Sequence, residues 1–338
     1  MMDATEMPRG VTAPRTVGQK DELRLEGRDR GGWHQNWFAI ARSADVGPEE
    51  VRGIDVLGGR VVVWRTKSGK LVVSSPWCQH LGADLSVGNV VGEKILCAFH
   101  HWEYGPDGCG LKNYFGEDLP KTASLRVFPS VERFGLIWFF NGETALFDPP
   151  GFGPFREEDL FYEVYESPTF PQPPWVLLTN SHDYQHLRIL HDMKLTSGPS
   201  NLKLGKHVAE HDAGFEFAGM PMDLHVTVAG TNTITLSAKL GAEGPWMLNM
   251  YNGCPRPNGL TTGYSISAAP LPPDASDEMR EQAKNIVAMG KGWSTSLFVD
   301  DEPVMATLSF RDAHLLDADK ELGTFLEWAK RYPKADLV

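Results

Sequence analysis

Two short segments of the sequence combine cysteine and histidine at a spacing that suits a metal cluster. They read Cys78-Gln79-His80 and Cys97-Ala98-Phe99-His100, with sixteen residues between them. In a mixed-ligand [2Fe–2S] cluster, two thiolates hold one iron and two imidazoles hold the other. Each pair falls in a short loop, so its Cys and His can reach different irons. A single zinc ion also accepts two Cys and two His, but zinc fingers usually keep their two Cys together. We therefore predict a [2Fe–2S] cluster on Cys78, His80, Cys97 and His100, with zinc as the alternative.

A second segment, from Asn180 to His191, contains an Asp-x-x-His-x-x-x-x-His pattern. Two imidazoles and one carboxylate on one face of Fe(II) leave open positions where oxygen and substrate can meet. On an ideal helix His186 and His191 lie about 140° apart, so a regular helix would not aim both rings at one ion. We expect a bulge or a helix end between them. The alternative is an amphipathic helix that carries three surface histidines.

Composition excludes several classes of protein. The chain has 338 residues, 41% hydrophobic and 22% charged, which suits one large or two ordinary globular domains. Its net charge of −12 and the lack of a basic run argue against nucleic acid and anionic membranes as partners. No apolar run reaches the length of a transmembrane helix, and the first 30 residues lack the apolar region of a secretory signal. With four Cys and no disulfide framework, the expected location is the cytoplasm.

The order of the predicted elements suggests two domains after a flexible arm of residues 1–32. Residues 33–148 alternate short β-rich runs with turn sequences and lack crossover helices, which predicts a small antiparallel β domain with both cluster loops at one end. Pro149–Pro154 is the expected boundary, so the second domain spans 149–338. It is expected to be α+β, with an antiparallel sheet and flanking helices. Its strands are predicted at 160–165, 224–228, 233–240, 246–251 and 262–267, and its helices at 175–195, 274–289 and 319–331.

A mixed-ligand cluster of this kind is a Rieske centre. A Rieske domain followed by Asn-x-x-Asp-x-x-His-x-x-x-x-His resembles the terminal oxygenase (α) subunits of the Rieske non-haem iron oxygenases. The resemblance extends from Trp33 to Tyr332 and includes 78–85 and 97–104. It is strongest to α-only monooxygenases such as aminopyrrolnitrin oxygenase and the steroid-hydroxylating oxygenases. The implied fold is an N-terminal all-β Rieske domain and a helix-grip-like α+β catalytic domain.

The resemblance also implies roles for residues of the second segment. His186 and His191 match the imidazole ligands of a mononuclear Fe(2+). Asp301 matches the third ligand best, and Asp300 is the alternative. Asp183 matches a family Asp that links a Rieske His of one subunit to an iron-ligand His of the next, and His100 would lie at that junction. Asn180 matches a family Asn near the iron whose role we leave open.

The implied activity is that of the terminal component of a multicomponent monooxygenase. Each subunit would carry one [2Fe–2S] cluster and one Fe(2+), activate O2, and hydroxylate, demethylate, N-oxidise or desaturate a hydrophobic organic substrate. Partners would be a separate NAD(P)H-dependent reductase, with or without a ferredoxin, and two further copies in a homotrimer. The alternatives are a Rieske electron-transfer protein, which needs only about the first 150 residues, and a cis-dihydroxylating dioxygenase subunit.

Three further expectations concern residues near the two motifs. His101 stands where many family members have Gly, and we expect it to face away from the cluster while His100 ligates. His182 is expected to face solvent, and His207 and His211 form a weak candidate for a metal pair on a helix. Substrate identity is not readable from the sequence. Apolar candidates for the pocket, each also a candidate for plain core, are Leu178, Leu190, Phe217, Leu248, Met250 and Phe298.

Overall fold

The computed structural model describes residues 22–217, 219–312 and 314–337, so residues 1–21 of the predicted arm lie outside the described residues. Residues 22–32 differ from the expected flexible arm. Leu25 is buried in the main core, and the Leu23 N–H donates to the Phe310 carbonyl at 2.9 Å. An apolar side chain in the core fixes this segment against the second half of the chain.

The first half of the chain is a set of short antiparallel strands. Val61, Val62 and Val63 of one strand are fully buried, as expected of a β-branched run packed on both faces. A two-residue turn at Leu57-Gly58, with positive φ at both positions, joins that strand to the preceding one. The strands are β1 (Trp33–His34), β2 (Trp37–Arg42), β3 (Val51–Val56), β4 (Gly59–Arg65), β5 (Leu71–Ser74), β6 (Asn89–Val91), β7 (Lys94–Leu96), β8 (Glu103–Tyr104), β9 (Ser130–Arg133) and β10 (Leu136–Phe140).

These strands form three three-stranded antiparallel sheets, in the orders β2-β10-β9, β3-β4-β5 and β6-β7-β8. The predicted small antiparallel β domain is confirmed. The cluster segments adjoin the third sheet, since Cys78 lies between β5 and β6 and Cys97 lies between β7 and β8. Short 3₁₀ turns in the chain lie at Arg28–Arg30, Ser43–Asp45, Leu85–Val87, Glu157–Asp159, Asn180–His182 and Asp317–Asp319.

The second half is built on one seven-stranded antiparallel sheet. Its order is β11-β17-β16-β15-β14-β13-β12, so most neighbours are consecutive hairpins. The expected α+β class is confirmed, and the predicted strands all fall within observed ones. The strands are β11 (Leu160–Glu166), β12 (Lys194–Leu204), β13 (Val208–Phe217), β14 (Met220–Ala229), β15 (Thr233–Leu240), β16 (Trp246–Pro255) and β17 (Thr261–Pro270), and a short β18 (Lys334–Ala335) pairs with β1.

In the residues that the structure describes, four helices pack on this sheet: α1 (Pro174–Thr179), α2 (Tyr184–Ile189), α3 (Asp277–Thr307) and α4 (Lys320–Lys330). The predicted helix from 175 to 195 is interrupted, because Asp183 leaves the helical conformation and caps α2 instead. The predicted helix from 274 to 289 begins at Asp277 but continues to Thr307. The helix packs across β16 and β17, and such tertiary contacts stabilise a helix beyond its own sequence signals.

The sheet is covered on both faces. One face packs against the helices, with Trp175, Phe215 and Phe325 in the largest core. The other face packs Leu248 and Ile266 against the strands of the first half. Both halves therefore share a core, and the boundary at residue 149 stays a prediction. Among the described residues, no helix combines the length and the apolar character needed to span a bilayer.

Candidate metal centres

The structure brings the four predicted cluster ligands together at the tip of the first half. Cys78 and Cys97 are buried, whereas His80 and His100 are exposed and their ring centroids lie 4.7 Å apart. Each Cys begins a tight turn, since the Cys78 carbonyl accepts from Gly82 N–H and the Cys97 carbonyl accepts from His101 N–H, both at 2.9 Å. Thiols on the inside and imidazoles on the outside suit a cluster with one buried and one exposed iron.

The same geometry argues against zinc as the occupant. A tetrahedral zinc ion with bonds of about 2.0–2.3 Å requires four ligand atoms that converge on one point. In the described part of the chain, a group of at least three candidate ligand atoms within 4.8 Å of one another is found at His186, His191 and Asp301 and not at the cluster loops. Two separate pairs of ligands fit a two-iron cluster better than a single ion.

Tyr104 also belongs to this site, although the sequence motifs assign it no role. Its hydroxyl accepts a hydrogen bond from Gln79 N–H at 2.9 Å and lies 3.1 Å from Cys78 Sγ. Because the oxygen already accepts from the backbone, its proton is free to be donated to the sulfur. A hydrogen bond to a ligand sulfur is one of the features that set a cluster's reduction potential. In the sequence, the signal for this role was the aromatic side chain of Tyr104, two positions after Trp102.

His101 differs in role from His100. Its φ is +51°, in the left-handed region that glycine adopts most readily. Its ring lies 5.7 Å from Tyr114, whereas the His100 ring lies beside His80. His101 therefore occupies a glycine-like backbone position and directs its side chain away from the other cluster ligands.

The residues predicted to hold a mononuclear ion come together where α2 ends. Asp183 Oδ1 accepts from the N–H groups of Gln185 and His186, both at 3.1 Å, which caps the start of α2. The helix ends at Ile189, between the two histidines, as the spacing predicts. Their rings, which a continuous helix would separate, lie 5.0 Å apart and nearly perpendicular.

Asp301 reaches these two rings from α3. Its Oδ1 lies 3.4 Å from His191 Nε2 and 3.9 Å from His186 Nε2. Asn180 donates from Nδ2 to the same carboxylate oxygen at 3.2 Å. Asn180, which the family resemblance placed near the iron, therefore lies at this site. Ligand atoms of all three residues lie within 4.8 Å of one another. This is a donor set that fits one divalent iron.

The other ring nitrogens are occupied by second partners. His186 Nδ1 donates to the Asp183 carbonyl at 2.7 Å, and His191 Nδ1 lies 3.3 Å from Asp300 Oδ2. These contacts fix the tautomer in which each Nε2 carries the lone pair, the arrangement that supports a metal-ligating His. Asp300 therefore contacts the outer side of His191, and Asp301 faces the point where the two Nε2 atoms meet.

The charges at the site favour a cation. Burial lowers the pKa of His186, against the opposing influence of the Asp183 carbonyl and the Asp301 charge. Burial also disfavours the charged form of His191, but Asp301 and Asp300 outweigh it and raise the pKa of that ring above its ordinary value. Two carboxylates beside two largely buried imidazoles leave negative charge that a divalent ion can balance.

A cavity opens from these three residues along the helix-covered face of the sheet. Most of its wall is apolar, and no Lys or Arg belongs to the part of the wall that the structure describes. Of the six apolar candidates, Leu178 and Phe298 line it, and Met250 borders it although its side chain packs in the core on the other face of the sheet. Leu190 and Leu248 do not line it, and the Phe217 side chain lies outside the described residues. Polar side chains interrupt the wall at Asn180, Ser181, Tyr184, His211, Asn249 and Ser294.

Two expectations about other histidines are wrong. His182 is 2% exposed and stacks on Phe325 rather than facing solvent, because the turn that precedes α2 rotates it into the core. His211 lies on strand β13, which His207 immediately precedes, so they are not a helical pair. His211 instead lines the cavity, and burial lowers its pKa to about 4.

Comparisons with known proteins identify the first half of the chain and show relatives that match parts of it. Residues 36–129 match the family described as the Rieske [2Fe-2S] domain. Cholesterol 7-desaturase nvd of Xenopus laevis is 29% identical over 56% of this chain and 43% of its own length. The oxygenase component of 3-ketosteroid-9-alpha-monooxygenase of Mycobacterium tuberculosis is 32% identical over 40% of this chain and 33% of its own. The matches thus span less than half the length of these relatives.

Solved structures match nearly the whole fold. Dicamba monooxygenase bound to dicamba has a TM-score of 0.67 at 16% identity, covering 89% of this chain and 98% of that chain. NdmA of Pseudomonas putida CBB5, in a mutant form with caffeine, has a TM-score of 0.64 at 18% identity, covering 88% and 89%. At these identities the likeness concerns the fold. Residues 36–129 therefore form a Rieske [2Fe–2S] domain, and the chain as a whole shares the fold of dicamba monooxygenase and NdmA.

Proposed function

We propose that the chain is the oxygenase component of a Rieske-type system, and that it oxidises a neutral hydrophobic organic molecule at a mononuclear Fe(2+) site. The observation that carries this proposal is the convergence of His186 Nε2, His191 Nε2 and Asp301 Oδ1 at the head of an apolar cavity. Relatives named as a desaturase and as a monooxygenase oxygenase component support the same class of reaction.

The residues at the site have distinct tasks. Bound ferrous iron supplies oxygen activation, and a Rieske cluster supplies electrons one at a time. His186, His191 and Asp301 would hold the ion, and the cavity that begins at these residues offers space for a substrate. Asp300 and the Asp183 carbonyl keep the two rings in the ligating tautomer. The apolar wall excludes water from the reacting groups and orients a substrate by shape.

Electron supply involves the exposed edge of the first half. His80 and His100 face solvent beside exposed Leu81 and Phe99, a surface that suits docking against another protein. We propose that this edge receives electrons from a separate NAD(P)H-dependent reductase, with or without a ferredoxin. It would pass them to the iron site of a neighbouring copy through Asp183, in a homotrimer. The half-exposed Asp183 supports this role.

An electron carrier with no second metal is the competing function. A metal count on the purified protein separates the two, because the oxygenase requires about three irons per chain with two inorganic sulfides, and a carrier about two irons. His186→Ala should remove one iron and leave the absorbance of the cluster unchanged. Two irons in the wild type, with no oxygen consumption under any reductant and any hydrophobic substrate, would refute the oxygenase.

A further inference from the structure

Asn249 is a buried amide with an unused hydrogen-bond donor. Its side chain lines the cavity, and the residue is 2% exposed. The Asn249 Oδ1 accepts from the Ser267 hydroxyl at 2.7 Å, and that hydroxyl lies 3.1 Å from the Tyr165 hydroxyl. The Nδ2 atom is buried and has no hydrogen-bond partner in the described part of the chain. Because a buried donor without a partner costs free energy, we expect this N–H group to donate to an acceptor on a bound ligand.

The sheet and α3 fix the position of this amide. Side chains alternate along β16, so Asn249 shares the helix-covered face with Met247 and Tyr251, which belong to the core on that side. Gly290 of α3 lies directly above it. A Cβ built on Gly290 would lie 3.2 Å from Asn249 Oδ1 and 3.3 Å from Nδ2. The helix therefore rests on the amide and restricts its rotation.

Asn249 lies at the end of the cavity remote from the iron ligands. Gly290 and Asp301 are eleven residues apart on the same helix, which corresponds to about 16 Å along its axis. The wall between them is formed by Trp293, Ser294, Leu297 and Phe298. A substrate that touches Asn249 while presenting a carbon to the iron site must bridge most of this length. A single ring is too short for that, and a fused system of several rings is long enough.

The sheet forms the floor of the cavity, where two apolar side chains lie between two polar ones. His211, Val226, Leu236 and Asn249 are directly opposed in turn on four adjacent strands, so they form one row across the sheet. Burial lowers the pKa of His211 to about 4, so its ring is neutral near pH 7. With no Lys or Arg in the described wall, nothing there balances a carboxylate or phosphate. The row therefore favours an uncharged molecule.

We propose that Asn249 selects substrates, by donating from Nδ2 to a carbonyl or hydroxyl oxygen at the distal end of an elongated, uncharged polycyclic molecule. This inference rests on the proposed oxygenase function, because the end remote from the iron ligands defines what is distal. Ser267 is a positioning residue, since its hydroxyl holds Asn249 Oδ1 and leaves Nδ2 directed at the ligand.

The test measures binding rather than turnover. Iron-loaded protein with an oxidised cluster is equilibrated by dialysis, without reductant or oxygen, against a tetracyclic ketone with one oxygen (androstanone), the matching alcohol (androstanol) and the parent hydrocarbon (androstane). Asn249→Leu should lower the ratio of ketone affinity to hydrocarbon affinity about tenfold, the effect of one lost hydrogen bond. Met279→Leu, a change at an exposed position of α3 outside the cavity wall, should leave that ratio unchanged.

A second variant keeps the proposal testable if Asn249→Leu fails to fold. Asn249→Asp preserves the shape but replaces the donor with an acceptor, so it should weaken binding of the ketone and retain the alcohol, which can donate. An unchanged ketone-to-hydrocarbon ratio in a folded variant would overturn the role of Asn249. Because no step of this test requires catalysis, that result leaves the oxygenase proposal intact. A missing third iron with normal ratios would instead reject the oxygenase alone.

Discussion

The Asp300 carboxylate lies 3.3 Å from His191 Nδ1, while Asp301, the next residue of the same helix, lies 3.4 Å from Nε2 of the same ring. Successive helical residues point about 100° apart, which lets the two carboxylates approach opposite sides of one imidazole. The Asp300 side chain is 46% exposed and Asp301 is buried. We propose that only Asp301 is a ligand and that Asp300 orients His191.

Asp300→Asn should therefore weaken iron binding without abolishing it. Loss of a carboxylate behind a ligating His costs about 10- to 100-fold in metal affinity, whereas Asp301→Asn should remove stable binding altogether. Chelator competition on the Fe(II)-loaded protein measures both, with cluster absorbance as the internal reference. Glu302→Gln, an exposed change on the same helix, is the control. A larger loss in Asp300→Asn than in Asp301→Asn would reverse the two assignments.

Tyr104→Phe should lower the reduction potential of the cluster. The hydroxyl that lies 3.1 Å from Cys78 Sγ stabilises the reduced form, which carries one more negative charge. A hydrogen bond to a charged group contributes about 1.5–3 kcal/mol. Only the difference between the two oxidation states counts, so we expect a shift on the order of 50 mV, since tenfold is 59 mV for one electron. A redox titration followed by circular dichroism measures it.

The matched control is Tyr114→Phe. Tyr114 also lies beside the cluster loops, but it is 72% exposed and contacts His101 and Phe115 rather than a cysteine. Its loss should leave the potential unchanged. An equal shift in both variants would mean that Tyr104 acts through general polarity at the loops and not through its bond to the sulfur.

The cluster loops could be predicted from the sequence because each Cys and His pair lies within one tight turn. The helix end between His186 and His191 could also be predicted, since helical geometry alone separates those rings. Both inferences depend on local spacing. The strands were predictable for the same reason, because alternation of apolar side chains is a local property.

Asp301 is a different case, because 110 residues separate it from His191 and only the family resemblance pointed to it. Nothing local distinguishes it from Asp300, since the choice depends on how α3 is rotated against the sheet. Asn249 carried no signal for the same reason, and His211 was singled out only as half of a helical metal pair that the structure does not form. Each is an ordinary polar residue of a strand until hairpin register places the two in one row.

Glu26→Gln should stabilise the protein at alkaline pH. The Glu26 carboxyl is buried beside His34, whose backbone N–H donates to it at 3.1 Å, and burial raises its pKa to about 7. A carboxyl whose pKa is raised on folding contributes its full stability below the unfolded value near 4.5, and that stability is lost as pH rises through about 7. The ionisation penalty at pH 8 is on the order of 3 kcal/mol.

Urea unfolding at pH 5 and pH 8 measures this effect. The difference in unfolding free energy between Glu26→Gln and the wild type should grow from about 1 kcal/mol at pH 5 to about 3 kcal/mol at pH 8. Glu143→Gln, at an exposed position, carries no burial penalty and serves as the control. A gain that is the same at both pH values would show that the amide stabilises through packing and not by removing a charge.

Asp183→Asn should uncouple the two metal centres while leaving each one intact. Asn is as good an N-cap as Asp, so the bonds to Gln185 and His186 can persist. The change removes the negative charge proposed to connect a Rieske His with His186. We expect unchanged cluster absorbance and iron content, with turnover reduced by orders of magnitude. Asp192→Asn, at an exposed position near His191, is the control, and normal turnover in Asp183→Asn would refute the role.

Mixed oligomers test whether electrons pass from the cluster of one copy to the iron site of another. Co-assembly pairs Cys97→Ala chains, which cannot hold a cluster, with Asp183→Asn chains, which keep the cluster but lack the connecting carboxylate. If electrons pass between copies, a cluster on an Asp183→Asn chain can serve a neighbouring Cys97→Ala chain whose Asp183 is intact, so activity returns on mixing. A path within one chain leaves every copy defective in one component. Mixed oligomers without activity would thus exclude the crossing path and remove the reason to expect a trimer.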